Sequence, residues 1–240
     1  MKSFSITDIG KKRTVNQDYL FCHETKIGKF PNLFIVADGM GGHRAGDYAS
    51  RLCVNKVAEA VEATMMITPI SIFNEAVEYA NRAVFGEASE NEEYEGMGTT
   101  FVGAVIYDKT LYVANIGDSR LYVMGDKLTQ ITEDHSLVEE MVKKGEIRKE
   151  EARSHPNKNI ITRALGTNKT VVADYFELEL EEGNIILLCS DGLTNMVEDE
   201  EIYRILRQCE GDLQSAGEKL VARANEYGGK DNIAIVLVQV

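Results

Sequence analysis

Four aspartates in this sequence stand at the mouths of strongly apolar runs. Leu33-Phe34-Ile35-Val36-Ala37 leads straight into Asp38-Gly39, and Ile185-Ile186-Leu187-Leu188-Cys189-Ser190 leads into Asp191-Gly192. Asp231-Asn232 opens the run Ile233-Ala234-Ile235-Val236-Leu237-Val238. Tyr112-Val113-Ala114-Asn115-Ile116 leads into Gly117-Asp118-Ser119-Arg120. Asp38 and Asp191 follow their runs whereas Asp231 precedes its own, so in antiparallel sheets these ends can meet along one edge. Carboxylates gathered there repel one another and hold their protons more tightly unless cations neutralise them. Hard divalent ions such as Mg2+ or Mn2+ suit an all-oxygen site of this kind. A single Asp-Gly pair is ordinarily just a turn. Its recurrence at the ends of long apolar runs shifts the reading toward metal binding. Gly39 and Gly192 permit a sharp turn there and let a backbone carbonyl approach an ion. Arg13, in Arg13-Thr14-Val15-Asn16-Gln17-Asp18, adds a guanidinium able to grip two phosphate oxygens. Taken alone, that arginine reads as a surface residue.

These side chains need rigid elements to hold them. Apolar residues recur at three-and-four spacing over 45–61 and 71–85, which predicts two amphipathic helices, the second with Ser71 as N-cap. Strands are predicted over 99–106, 110–116, 120–124 and 127–131, with hairpin turns at Tyr107-Asp108-Lys109 and Gly125-Asp126. Further strands are predicted at 4–7, 19–23, 33–37, 172–178, 184–189 and 232–238, and a second helix pair at 199–209 and 213–227. Helix pairs interleaved with hairpin-linked strands describe an α+β layered sandwich, antiparallel sheets covered by helices. The stretch from Glu133 to Arg163 differs: it is strongly charged, holds His135, His155 and Pro156, and reads as a helical flap.

The chain has 240 residues, of which 44% are hydrophobic, enough for a sizeable core. It lacks low-complexity segments, Pro-rich linkers and solenoid repeats, so one domain over 1–240 is expected. A net charge of -13 opposes binding to a phosphate backbone through a basic face, so no nucleic-acid partner is expected. Bound metal ions would reverse that sign locally, which leaves phosphorylated proteins open as substrates. Cys22, Cys53, Cys189 and Cys209 have no metal or redox spacing, and Cys53 and Cys189 read as core. No apolar run approaches the roughly 18–20 residues of a membrane helix. The N-terminus lacks the apolar stretch of a signal peptide. A cytoplasmic, membrane-free monomer is expected.

Six motifs in order resemble the protein phosphatase 2C family, the metal-dependent serine/threonine phosphatases, in its compact bacterial form. They are Arg13–Asp18 (RTVNQD), Asp38–Gly42 (DGMGG), Gly98–Thr100 (GTT), Gly117–Arg120 (GDSR), Ser190–Leu193 (SDGL) and Asp231–Asn232 (DN). The resemblance implies a four-layer α-β-β-α sandwich with a flap insertion over about 133–163. It implies that Asp38 bridges two Mn2+ or Mg2+ ions, that the Gly39 carbonyl binds one of them, and that Asp191 and Asp231 bind the other. Asp118 matches the residue that joins Asp191 around a third ion, Arg13 the residue that holds substrate phosphate, and Asp18 one that orients metal-bound water. Phosphoserine and phosphothreonine in proteins are the implied substrates. A bacterial Ser/Thr kinase is the implied opposing enzyme and a candidate substrate itself.

Two positions depart from relatives. Gln17 is neutral where some carry an acid, which implies more water ligands at one metal. Met40 stands where others carry a histidine proposed as general acid, and His43 is near but not aligned with it. Metal-bound water is then the expected proton source. The expected reaction is in-line attack on phosphorus by water bridging two ions, without a covalent intermediate. Ser119, Ser190 and Cys189 are accordingly not expected to act as nucleophiles. Two rivals are another metal-dependent phosphohydrolase, against which the charge argues for nucleases, and a catalytically silent phosphoprotein-binding relative. The second would be expected to have lost a metal carboxylate, and all four are present.

Overall fold

The computed structural model describes residues 1–42 and 45–240. One sheet runs β1 (Lys2–Asp8), β11 (Ile233–Gln239), β10 (Ile185–Cys189), β7 (Arg120–Met124) and β8 (Leu128–Gln130). The other runs β2 (Asp18–His23), β3 (Leu33–Met40), β5 (Phe101–Tyr107), β6 (Thr110–Ile116) and β9 (Asp174–Glu179), with the short β4 (Gly98–Thr99) added to β3. All these pairings are antiparallel.

The inner strands β3 and β11 are apolar on both faces because both faces are buried. Along β3, Leu33, Ile35 and Ala37 face helices α1 (Ala45–Ala63) and α2 (Pro69–Glu90), while Phe34 and Val36 face the opposite sheet. Along β11, Ile233, Ile235 and Leu237 face α6 (Asp199–Gln208) and α7 (Leu213–Glu226), while Ala234, Val236 and Val238 fill the space between the sheets. Two helix-sheet cores and one sheet-sheet core make the expected α-β-β-α sandwich. The β5–β6 hairpin turns at Asp108 and Lys109, both with positive φ (48° and 69°), the pairing a two-residue primed turn requires.

Several boundaries differ from the sequence reading. Helix α2 begins two residues early: Thr68 is the N-cap, accepting the Ser71 N–H, and Pro69 takes the first helical position, where its missing donor costs nothing. Strand β3 does not end at Ala37 but continues through Asp38 and Gly39 to Met40, paired with β4. The strand predicted over 99–106 breaks at Thr100. Its N–H donates to the Asp38 carbonyl (2.8 Å) and its hydroxyl accepts the Asp38 N–H (2.9 Å), so it leaves the regular ladder to hold Asp38.

The flap carries two short helices, α3 (Leu137–Lys143) and α4 (Lys149–Ala152). It is closed at its root by a bridge between Ser136 and Ile161. Among the described residues, no helix is long and apolar enough to cross a membrane.

Candidate metal centre

The antiparallel pairing brings the predicted aspartates to one edge of the sandwich. Asp18 lies opposite Asp38 in the β2–β3 register. The last residue of β10, Cys189, pairs with Ile235, so Asp191 emerges beside Asp231 at the start of β11. Asp38, Asp118, Asp191 and Asp231 are each partly exposed, whereas Asp18 is buried behind them.

Burial and mutual repulsion raise the carboxyls of Asp18, Asp38, Asp118 and Asp191. Burial, then the charges of Asp18, Asp191, Asp118 and Asp231, push the Asp38 carboxyl well above the usual carboxylate range. Burial and Asp231 push Asp191 up to about 6. Burial pushes Asp18 up to about 7, against the lowering effect of its Ser190 hydrogen bond. Burial, Asp191 and Asp134 raise Asp118. Two carboxylate oxygens in the cluster, Asp18 Oδ1 and Asp191 Oδ1, are buried with no hydrogen-bond partner. An orphaned carboxylate oxygen costs free energy that a cation or a proton must offset.

Those oxygens, together with the charge they concentrate, fit hard divalent cations. Among the described residues, no three His, Cys, Asp or Glu side chains gather tightly enough to hold one ion by themselves. An ion held here would complete its shell with backbone carbonyls or water, which Mg2+ in particular retains.

The glycines beside the aspartates serve close approach rather than the turns predicted for them. A Cβ on Gly39 would lie 1.9 Å from the Gly46 carbonyl oxygen, and one on Gly192 would lie 1.8 Å from that of Asn232. Neither has positive φ. Gly192 sits in a four-residue helix, α5 (Asp191–Thr194), which places Asp191 in a first turn where negative charge is favoured. The Asn195 amide donates to Asp191 Oδ2 at 2.7 Å and holds that carboxylate's other oxygen toward the cluster.

Arg13 reaches the cluster edge, where Nη2 donates to Asp231 Oδ2 at 2.7 Å with the guanidinium half exposed. Asn232 explains why the loop ahead of Asp18 lies here. Its Oδ1 accepts the Gln17 N–H (2.9 Å), and its Nδ2 donates to the carbonyls of Ile9 (3.0 Å) and Val15 (3.1 Å). Met40 is partly exposed at the end of β3 and offers a thioether, with no proton to give. His43 lies outside the described residues.

The hydroxyls near the site are structural. Ser190 Oγ donates to Asp18 Oδ2 (2.6 Å) and accepts the Ala234 N–H (2.9 Å). Ser119 Oγ is buried against Thr100 Oγ1 at 2.7 Å. Cys53 and Cys189 are fully buried, and burial pushes both thiols up, away from nucleophilic thiolate.

A cavity of about 850 Å³ opens from Asp118 and Asp191 under the flap, lined also by Arg153, Lys158, Asn195 and Glu198. Arg153 pairs with Glu198 at 2.9 Å, and Lys158 donates to Asn195 Oδ1 at 3.0 Å, so the flap is tied to the ground beside Asp191. Sequence reasoning missed Asp134, which takes the Arg120 guanidinium through both oxygens (2.9 and 2.7 Å) and adds negative charge near Asp118. His135, in the charged stretch read as a flap, is buried at the flap root.

A family model for protein phosphatase 2C matches residues 10–237. The chain is 42% identical over 238 residues to the serine/threonine phosphatase stp of Listeria innocua, covering 97% of this chain and 93% of that one. It is 41% identical to the protein phosphatase PhpP of Streptococcus pneumoniae, covering 97% and 95%. Its structure is similar to that of the serine/threonine phosphatase Stp1 from Staphylococcus aureus, with a TM-score of 0.90 at 37% identity over 100% of this chain and 94% of that one. It is also similar to the catalytic domain of PstP in complex with two manganese ions, with a TM-score of 0.87 at 31% identity over 99% and 97%. With this fold, this carboxylate edge and these matches along its length, the chain belongs to the protein phosphatase 2C family.

Proposed function

We propose that residues 1–240 form a single catalytic domain that hydrolyses phosphoserine and phosphothreonine in proteins with the help of Mn2+ or Mg2+. The observation that carries this reading is the convergence of five carboxylates with two orphaned buried oxygens at one sheet edge. The family and its manganese-bound relative support it. Asp38 and the Gly39 carbonyl, with Asp191 and Asp231, would hold two ions, and Asp118 with Asp191 would hold a third. When bound, such ions act as Lewis acids, stabilising phosphoryl charge and lowering the pKa of water.

The chain's own residues do the rest. Asp18, anchored by Ser190, presents a lone acceptor to whatever occupies the space before Asp38. Asp231 holds the Arg13 guanidinium at the cluster edge, where it would bind two oxygens of the substrate phosphate, and Asp231 would share its charge with a cation held there. Asn232 fixes the loop that delivers both Arg13 and Asp18. Met40 has no proton to give to the leaving alcohol, so water acidified by a cation held here would supply it.

The partners proposed are phosphorylated proteins, among them a bacterial Ser/Thr kinase that installs the modification. Acidic charge and four unpaired thiols fit a monomer in a reducing cytoplasm. The test is phosphate release from a phosphothreonine peptide with Mn2+, with chelator, and with Asp191→Ala. The expected result is activity that requires Mn2+ and falls by orders of magnitude in the variant. Phosphotyrosine peptides and nucleotides should be poor substrates. Undiminished activity after chelation or in Asp191→Ala contradicts the reading.

A further inference from the structure

His135 joins the flap to the loop that carries Asp118. Its backbone N–H donates to the Gly117 carbonyl at 2.9 Å, and its Nδ1 accepts the Gly117 N–H at 3.0 Å, so both polar groups of Gly117 are held by one residue. A backbone N–H can only donate, which fixes Nδ1 as the acceptor and leaves the imidazole proton on Nε2. Nε2 in turn faces Asp174 Oδ2 at 3.0 Å, and Asp174 Oδ1 takes Arg163 Nη1 at 2.6 Å from the far end of the flap. The His135 carbonyl accepts the Thr162 N–H at 2.8 Å, closing the flap root. Asn115 reinforces the same junction, with Nδ2 donating to the Glu133 carbonyl at 3.1 Å and lying 3.5 Å from that of Gly117. From the other side, Ser119 is bonded to Thr100, which receives the Asp38 N–H.

We infer that His135 is a positioning residue for Asp118, setting the loop through the Gly117 N–H···Nδ1 bond so that the carboxylate meets the cation it shares with Asp191. This rests on the reading of Asp118 as a metal ligand. Groups that orient a metal ligand are worth about 10–100-fold in affinity. The chemistry assigned to each ring nitrogen makes the inference separable from a packing role. Asparagine places an acceptor where Nδ1 stands and abandons Asp174. Glutamine reaches Asp174 from the Nε2 position and leaves the Gly117 N–H buried without a partner.

The experiment is a Mn2+ titration of the full chain, by calorimetry or by electron paramagnetic resonance of free Mn2+. It compares the wild type with Asp118→Asn, His135→Asn and His135→Gln, all checked by circular dichroism in chelator. Asp118→Asn defines the Mn2+ equivalent that depends on that carboxylate. His135→Gln is expected to weaken that equivalent about tenfold or more and leave the others unchanged. His135→Asn is expected to retain it. Equal behaviour of the two histidine variants, whether both retain it or both lose it, overturns the inference. If Asp118→Asn removes no equivalent, Asp118 is not a ligand, and the inference falls with that reading rather than on its own account.

Discussion

At the scale of single residues, the site is a store of like charge. Asp38 is surrounded by four carboxylates, and burial and mutual repulsion raise Asp18, Asp38, Asp118 and Asp191 together. A carboxylate whose folded pKa exceeds its unfolded value gives stability that is complete below the unfolded pKa and is lost as pH rises through the folded one. For Asp191 and Asp18 that window runs from the ordinary aspartate value of 3.8 to about 6 and about 7. The metal-free protein should therefore lose stability from these groups between acidic and neutral pH, on the order of several kcal/mol for the coupled set. Melting in chelator should show Asp191→Asn above the wild type at pH 8 and level with it near pH 4, with excess Mn2+ removing the wild type's deficit. Identical melting of both proteins across this range would mean that the carboxylates do not strain the apo fold. Asp38, Asp118, Asp191 and Asp231 were legible in the sequence because each adjoins a long apolar run, whereas Asp18 was reached only through the family resemblance. His135 and Asp134 were not legible, because their partners, Gly117 and Arg120, adjoin them only after folding.

At the scale of elements, strands were read well and short helices poorly. Strands β6 and β7 have the predicted ends, and the buried two-faced strands β3, β10 and β11 announce themselves as unbroken apolar runs. Helix α5 has four residues, too few to show a period, and was missed. The extension of β3 past Asp38 was hidden by Gly39, which looked like a turn and is instead the floor on which α1 rests its Gly46 carbonyl. Gly192 does the same service where α5 meets β11. Replacing Gly192 with alanine should force the α5 and β11 backbones apart, cost about 1–3 kcal/mol or more of stability, and weaken Mn2+ binding through Asp191. Thermal melts and metal titration of that variant would check both effects, and a neutral substitution would contradict the close approach. The three hydrogen bonds by which Asn232 anchors the loop at 9–17 span more than 200 residues of chain, so no local pattern could reveal them.

At the scale of the whole molecule, three cores stack two sheets and two helix pairs, and that rigid frame brings five carboxylates from distant parts of the chain to one edge. The layered class was readable from the order of helix pairs and strand hairpins. The pairing of β1 with β11, which adds the edge strand of the first sheet, was not, because it joins the two ends of the chain. The most direct measurement is a crystal of the full chain soaked in Mn2+ with anomalous scattering collected at the manganese edge. The account predicts two strong peaks on either side of Asp38, one within ligand distance of the Gly39 carbonyl and the other of Asp191 and Asp231, with a weaker third at Asp118. Well-diffracting crystals without peaks at Asp38, or with manganese bound only elsewhere, would contradict it.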